Sequence, residues 1–313
     1  MNALRPDTLK PIEVILTDVR AMKGSVEQLI HRFRQAIENP ERRNRQSGAY
    51  WRHVAFTDAL VRLRIFLEQN FNYIESIGLL ALTRYVFELT VWLKLMQKDS
   101  QYGFVYYRQI LDKQLDYYKA LRDHLTREVV FLREVGAQEE RLMDDRLKEA
   151  VQISDPETHK EALRHLIDDV EKEVDDRAAR KFSLYGEQAR TNGYNFQLYL
   201  IETKVLPGVA KSIADLEHEL RRFELDSPPE AKSLPRQWRW KDQATAAGMD
   251  DEYAFIYSYT SRLLHATPVS LTTDHKNLEP DEMRIFLKYI HIRLRDIIEM
   301  AEQLVAPGPS VVN

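Results

Sequence analysis

From Ile77 to Met96 the chain reads IGLLALTRYVFELTVWLKLM. Leu79, Leu80, Leu82, Val86, Phe87, Leu89, Trp92 and Leu93 point in every direction around a helix and leave it no polar face. A helix of that kind must be covered on all sides, so it belongs at the centre of a bundle. Arg84, Glu88 and Lys94 interrupt the apolar run, and no 18-residue stretch of the chain lacks a charge. The segment therefore reads as a core helix over about 73–98 and not as a membrane span.

The rest of the chain has to supply the cover. Its 313 residues hold only 10 glycines and 12 prolines, most of them between apolar-periodic runs, which predicts helices separated by short loops. A first helix is expected over 7–39, ended by Asn39-Pro40. Others are expected over 49–69 and 101–134, the latter with a run of tyrosines suited to packing on the central helix. The stretch 134–181 is heavily charged with thin apolar stripes. Ser154-Asp155-Pro156-Glu157 divides it with a cap, a first-turn proline and a first-turn acid. Beyond it come helices over 187–223, bent near Pro207-Gly208, over 250–266, and over 280–305. The last carries the regular stripe Met283, Leu287, Ile290, Leu294, Ile297, Ala301 and Leu304. The fold expected is all-α: a multi-helix bundle built from 1–133 and 182–313, with 134–181 as a protruding charged helical hairpin.

Charge narrows the function. With 45 basic and 49 acidic side chains the formal net charge is −4, so no overall basic field attracts nucleic acid. There is no cysteine, which removes disulfide and thiolate chemistry and fits a reducing compartment. The N-terminal MNALRPDTLKPIEV lacks the basic-then-apolar pattern of a signal peptide, so a cytoplasmic protein without membrane attachment is expected. None of the nine histidines follows a glutamate by three positions, and no H-E-x-x-H or paired-histidine spacing occurs. No metal or cofactor is expected. The P-loop, dinucleotide and G-x-S-x-G fingerprints are also missing.

Two places hold candidate chemistry. Arg84 and Glu88 stand four apart on an otherwise apolar stripe, close enough to pair. A pair buried there needs further partners, or serves only to fix helix register. The second place is DEYAFIYSYTSRLLHATP, where Tyr257, Ser258, Ser261 and His265 share one helical face and Arg262 lies one turn before the histidine. The position of His265 near a helix C-terminus favours a protonated imidazole, although a lone helical histidine is more often structural. A third stretch, PRQWRWK with Trp238 and Trp240, reads either as a strap plugging the bundle or as a base-stacking patch.

The R-x-x-x-E pattern at Arg84 and Glu88, together with Y-x-x-x-Y-S…H-A-T-P from Tyr253 to Pro268, resembles a widespread bacterial helical family of unknown function. That family looks related to the HEPN superfamily. The superfamily's active members are metal-independent ribonucleases of toxin–antitoxin and anti-phage systems, working as dimers through R-x(4–6)-H. Here Arg262 and His265 give the shorter R-x-x-H.

The residues support two main readings, beside a third in which another enzyme acts on a small anionic substrate and Arg84 binds its carboxylate or phosphate. In one, Arg84, Glu88, Tyr257, Ser258 and His265 form a network in a non-catalytic binding, regulatory or defence protein, whose partner is a protein or a second copy of the chain. In the other, the resemblance implies RNA cleavage. His265 would be the general acid or base, Arg84 or Arg262 would stabilise phosphorane charge, Glu88 would hold Arg84, and Tyr257 and Ser258 would orient groups.

Overall fold

The computed structural model describes residues 6–39, 44–71, 75–232, 238–264 and 278–305. The described residues are helical with no strand, as expected of an all-α bundle. The chain forms two compact units: Met1–Gln109 with Asp226–Asn313, and Ile110–Leu225.

In the first unit, α1 (Pro6–Ala21) and α2 (Lys23–Glu38) replace the single helix expected over 7–39. The break falls at Met22, whose N–H turns back to the Val19 carbonyl at 3.2 Å. Gly24 lies just beyond, and its backbone entropy makes continuation costly there. Ser47 caps α3 (Gly48–Gln69) by accepting from the Ala49 N–H at 3.2 Å. The apolar segment forms α4 (Ser76–Lys98).

Helix α5 (Tyr102–Val151) is continuous through the position where a boundary was expected near 134. It starts in the first unit and supplies the second from Ile110 onward. The second unit continues with α6 (Pro156–Ala178), α7 (Gly186–Asn192), α8 (Tyr194–Leu200), a π-helical turn (Ile201–Val205) and α9 (Leu206–Asp226). The charged 134–181 stretch lies inside this unit, which takes in chain on both of its flanks. Asp155 caps α6 by accepting from the Thr158 N–H at 2.9 Å, with Pro156 in the first turn. Just before Pro207, where a bend was expected, the helix widens into a π turn in which the Leu206 N–H reaches back five residues to the Ile201 carbonyl. Leu125, Leu132, Val170, Val174 and Ile201 form this unit's core. Buried Glu128 ties the 183–185 loop to α5, accepting the N–H groups of Leu184 at 3.0 Å and Tyr185 at 2.7 Å.

The chain then returns to the first unit through the short α10 (Pro229–Lys232), α11 (Trp240–Ala247), α12 (Asp250–Glu252), α13 (Ser258–Leu264) and α14 (Pro280–Val305). Helix α4 packs against α3, α11, α13 and α14. Phe87, Val91, Leu93 and Leu95 are fully covered, as are Leu287, Ile290 and Ile297 on α14. Each such side chain contributes about 1.5–3 kcal/mol by leaving water. Thr83 and Thr90 are also fully buried; each hydroxyl donates to the carbonyl four residues back, at 2.7 Å, so neither lacks a partner. The length and composition of α4 would suffice to cross a membrane, but more than half of its apolar window is covered by the other helices.

A glycine contact sets how closely α3 and the start of α5 approach. A Cβ on Gly103 would run into the Gly48 carbonyl and stand 2.7 Å from the Arg52 nitrogen. A Cβ on Gly48 would stand 2.5 Å from the Ser100 carbonyl. The groups in the way are backbone and cannot swing aside. Gly103→Ala is expected to destabilise the fold by about 1–3 kcal/mol, the cost of overpacking. Denaturant unfolding with an unchanged midpoint would show that the two helices are free to separate.

Candidate functional site

Arg84 on α4 reaches across to α13. Its Nε donates to Glu88 Oε1 at 2.9 Å, Nη1 to Ser261 Oγ at 3.0 Å, and Nη2 to Tyr257 Oη at 3.1 Å. The guanidinium carbon also lies 4.5 Å from the centre of the Tyr257 ring. Two helices about 170 residues apart in sequence are thus joined by one side chain.

Ser261 and not Ser258 is the hydroxyl that meets the arginine. Consecutive helical residues do not face the same neighbour, whereas residues four apart do. Tyr257 ends a π-helical turn (Tyr253–Tyr257) directly after α12, and regular α-helix resumes at Ser258. Tyr257 and Ser261 therefore present one pair of hydroxyls at the same spacing as Arg84 and Glu88. That matched spacing is the trace of Ser261 in the sequence, and the packing decides between it and Ser258. Ser258 is half-buried and Arg262 is exposed. His265 lies outside the described residues.

The cluster is half-buried, not sealed: the side chains of Arg84 and Glu88 keep 22% and 25% of their surface. Burial is still the main influence on Glu88 and pushes its carboxyl above the ordinary range, with Arg84 pulling the other way. Burial likewise raises the Tyr257 phenol, again opposed by Arg84.

Around the cluster stands an aromatic assembly. Trp238 stacks on Trp92 with ring centres 3.5 Å apart, Trp240 meets Trp238 edge-on at 5.5 Å, and Tyr253 stacks on Tyr257 at 4.9 Å. The two tryptophans of PRQWRWK thus pack on the core, as the strap reading expected. Gly248 ends α11 in the left-handed region at φ 70°, which lets the chain turn between the helix that carries Trp240 and the segment that carries Tyr257.

Glu88 faces a second feature: it also lines a cavity of about 350 Å³. The floor is apolar, with Ala55 and Ala59 of α3 and Leu89, Leu93 and Met96 of α4. The polar lining is Asp58, Arg62, Tyr85, Glu88 and Tyr106, and Trp92 and Trp240 complete the walls. The Tyr106 phenol donates to Asp58 Oδ2 at 2.7 Å. The sequence offered only a weak trace of this site. Asp58 and Arg62 are four apart on one helix, as are Tyr85 and Leu89 on another, and tyrosines at helical spacing read as packing. Among the described residues, no group of three or more histidine, aspartate or glutamate side chains is placed to hold a metal ion.

A family model described as a family of unknown function, DUF5677, matches residues 67–283. That is more than half of the chain, and the chain belongs to this family. The match takes in Arg84, Glu88, Tyr257 and Ser261. No curated protein and no solved structure matches the chain.

Two outcomes test the cluster. Arg84→Ala is expected to cost about 2–3 kcal/mol, less than for a fully sealed pair because water reaches part of it. Arg84→Lys should recover only a fraction, since a single ammonium cannot serve three acceptors set around a planar fork. Equal unfolding midpoints for wild type and Arg84→Ala would show that the helices are held without it. The second outcome concerns pH. Above about 4.5 the unfolded chain releases the Glu88 proton, while the folded chain, its value raised, still holds it. Stability contributed at this position therefore falls as pH rises from about 4.5 through the raised folded value. Unfolding free energies of wild type and Glu88→Gln, measured across that window, should differ in slope in this sense. Parallel curves would place the carboxylate in bulk-like solvent.

Proposed function

We propose that this chain is a non-catalytic binding protein in which Arg84 locks two helices together and the adjoining cavity receives a ligand. The observation that carries the reading is where the guanidinium spends its hydrogens. Of its five N–H groups, three are directed to Glu88, Ser261 and Tyr257 within the same chain. An arginine so engaged is poorly placed to gather charge that develops on a reacting phosphate, which calls for donors reserved for that moment. The cavity has the make-up of a small-molecule site: about 350 Å³, apolar for the most part, with a few convergent polar groups. On this reading the protein acts in the cytoplasm, and a place in bacterial regulation or defence rests on the family resemblance alone.

The competing reading is metal-independent RNA cleavage of the HEPN kind, with His265 as the acid or base. A degradation assay in chelator, with single-stranded RNA as substrate, separates the two. Wild type and His265→Ala are expected to leave the RNA intact while sharing one melting temperature. Cleavage by the wild type that disappears in His265→Ala would overturn the binding proposal and establish a ribonuclease.

A further inference from the structure

The geometry points to a particular ligand class for the cavity: a small organic ammonium ion carried on a flat or apolar body. This inference rests on the binding reading given above and adds the charge and shape of what binds.

Among the described residues, two carboxylates and one cation line the cavity. Asp58 Oδ2 is engaged by the Tyr106 phenol, a contact that fixes the carboxylate's orientation and leaves Oδ1 to accept elsewhere. Glu88 uses Oε1 for Arg84, and its side chain also lines the cavity. The cation, Arg62, is exposed. An anion entering here would meet the Asp58 carboxylate directly, while the exposed Arg62 guanidinium is shared with the Tyr85 phenol and Arg84 is already occupied by Glu88. A neutral apolar molecule would cover both carboxylates without replacing the hydrogen bonds water gave them, which is unfavourable.

The walls favour the same charge. Trp92, Trp240, Tyr85 and Tyr106 present aromatic rings around the space. Ring faces are electron-rich and attract an ammonium group, tryptophan most strongly. Trp92 is held in place by its stack on Trp238, so that wall is built before any ligand arrives. Burial pushes the Tyr85 and Tyr106 phenols up, so both rings stay neutral at physiological pH. Beyond the polar groups, Leu89, Leu93 and Met96 offer an apolar floor for the body of the ligand.

Three probes of one shape and different charge decide the matter: phenethylamine, phenylacetate and phenethyl alcohol. Titration calorimetry gives the affinities, and the four tryptophan indole N–H signals, assigned with single Trp→Phe variants, report the place. Phenethylamine is expected to bind saturably, to move the Trp92 and Trp240 signals and to leave Trp51 in place. Phenylacetate should bind at least about tenfold more weakly, the loss of one charge-assisted contact. Asp58→Asn should weaken the amine about tenfold and leave the alcohol unchanged. Asp58 is exposed, and asparagine still accepts from Tyr106, so this variant keeps the fold. If phenylacetate or the alcohol binds as tightly as the amine while moving the same two signals, the ammonium assignment falls and the binding reading stands. If no probe moves those signals, both fall.

Discussion

Everything in the first unit depends on the need to cover α4. A helix of 23 residues that is apolar along most of its surface needs cover on most sides, so the chain must bring partners from far away in sequence; one stripe, with Ile77, Ala81, Arg84 and Glu88, stays in contact with water. Helices α3, α11, α13 and α14 answer that need. Once they pack on α4, the charged pair Arg84 and Glu88 is only partly hydrated, and its remaining hydrogen bonds have to come from the protein. The Arg84 fork meets this by collecting Glu88 on its own helix together with the Tyr257 and Ser261 hydroxyls. The hydrophobic demand brings the helices together without direction, and the hydrogen bonds then fix which residues of α13 face which residues of α4.

The same packing explains why the cavity sits beside the cluster. Helix α4 carries Glu88 between two neighbours, with Arg84 one turn before it and Trp92 one turn after. Toward α13 the polar groups close on one another. Toward α3 and the start of α5 the small residues Ala55 and Ala59 leave space that no side chain fills. Aromatic rings line its walls, and Gly48 and Gly103 bring α3 and the start of α5 into close backbone contact nearby.

Membership of a family of unknown function leaves chemistry as the guide to activity. The cluster by itself has the marks of a structural lock: its donors and acceptors are largely matched, and each partner comes from the protein. The cavity has carboxyl groups along an unfilled volume, which is what recognition requires. Distinguishing the two matters because both contain Glu88. A change at that position alters the lock and the lining together, whereas Asp58 touches only the lining.

Helix class and the central place of α4 were legible from the sequence, because both arise from the spacing of apolar residues along one segment. The Arg84–Glu88 pair was legible for the same reason, as was the meeting of α4 with the tyrosine–serine helix, suggested by polar groups in need of partners. Which serine meets the arginine was not legible: Ser258 and Ser261 share a helical face, and the packing gives Arg84 to Ser261. The break at Met22, the unbroken length of α5 and the two-unit division were not legible either. Local propensity there is nearly balanced, and long-range packing tips it. The cavity was hidden for a deeper reason. Ala55, Asp58, Trp92, Tyr106 and Trp240 lie on four segments, and no local pattern records that their packing leaves a gap. The sequence by itself determined that one helix must be surrounded. The tertiary structure alone decided where the surrounding helices fail to touch, because empty space belongs to no single segment.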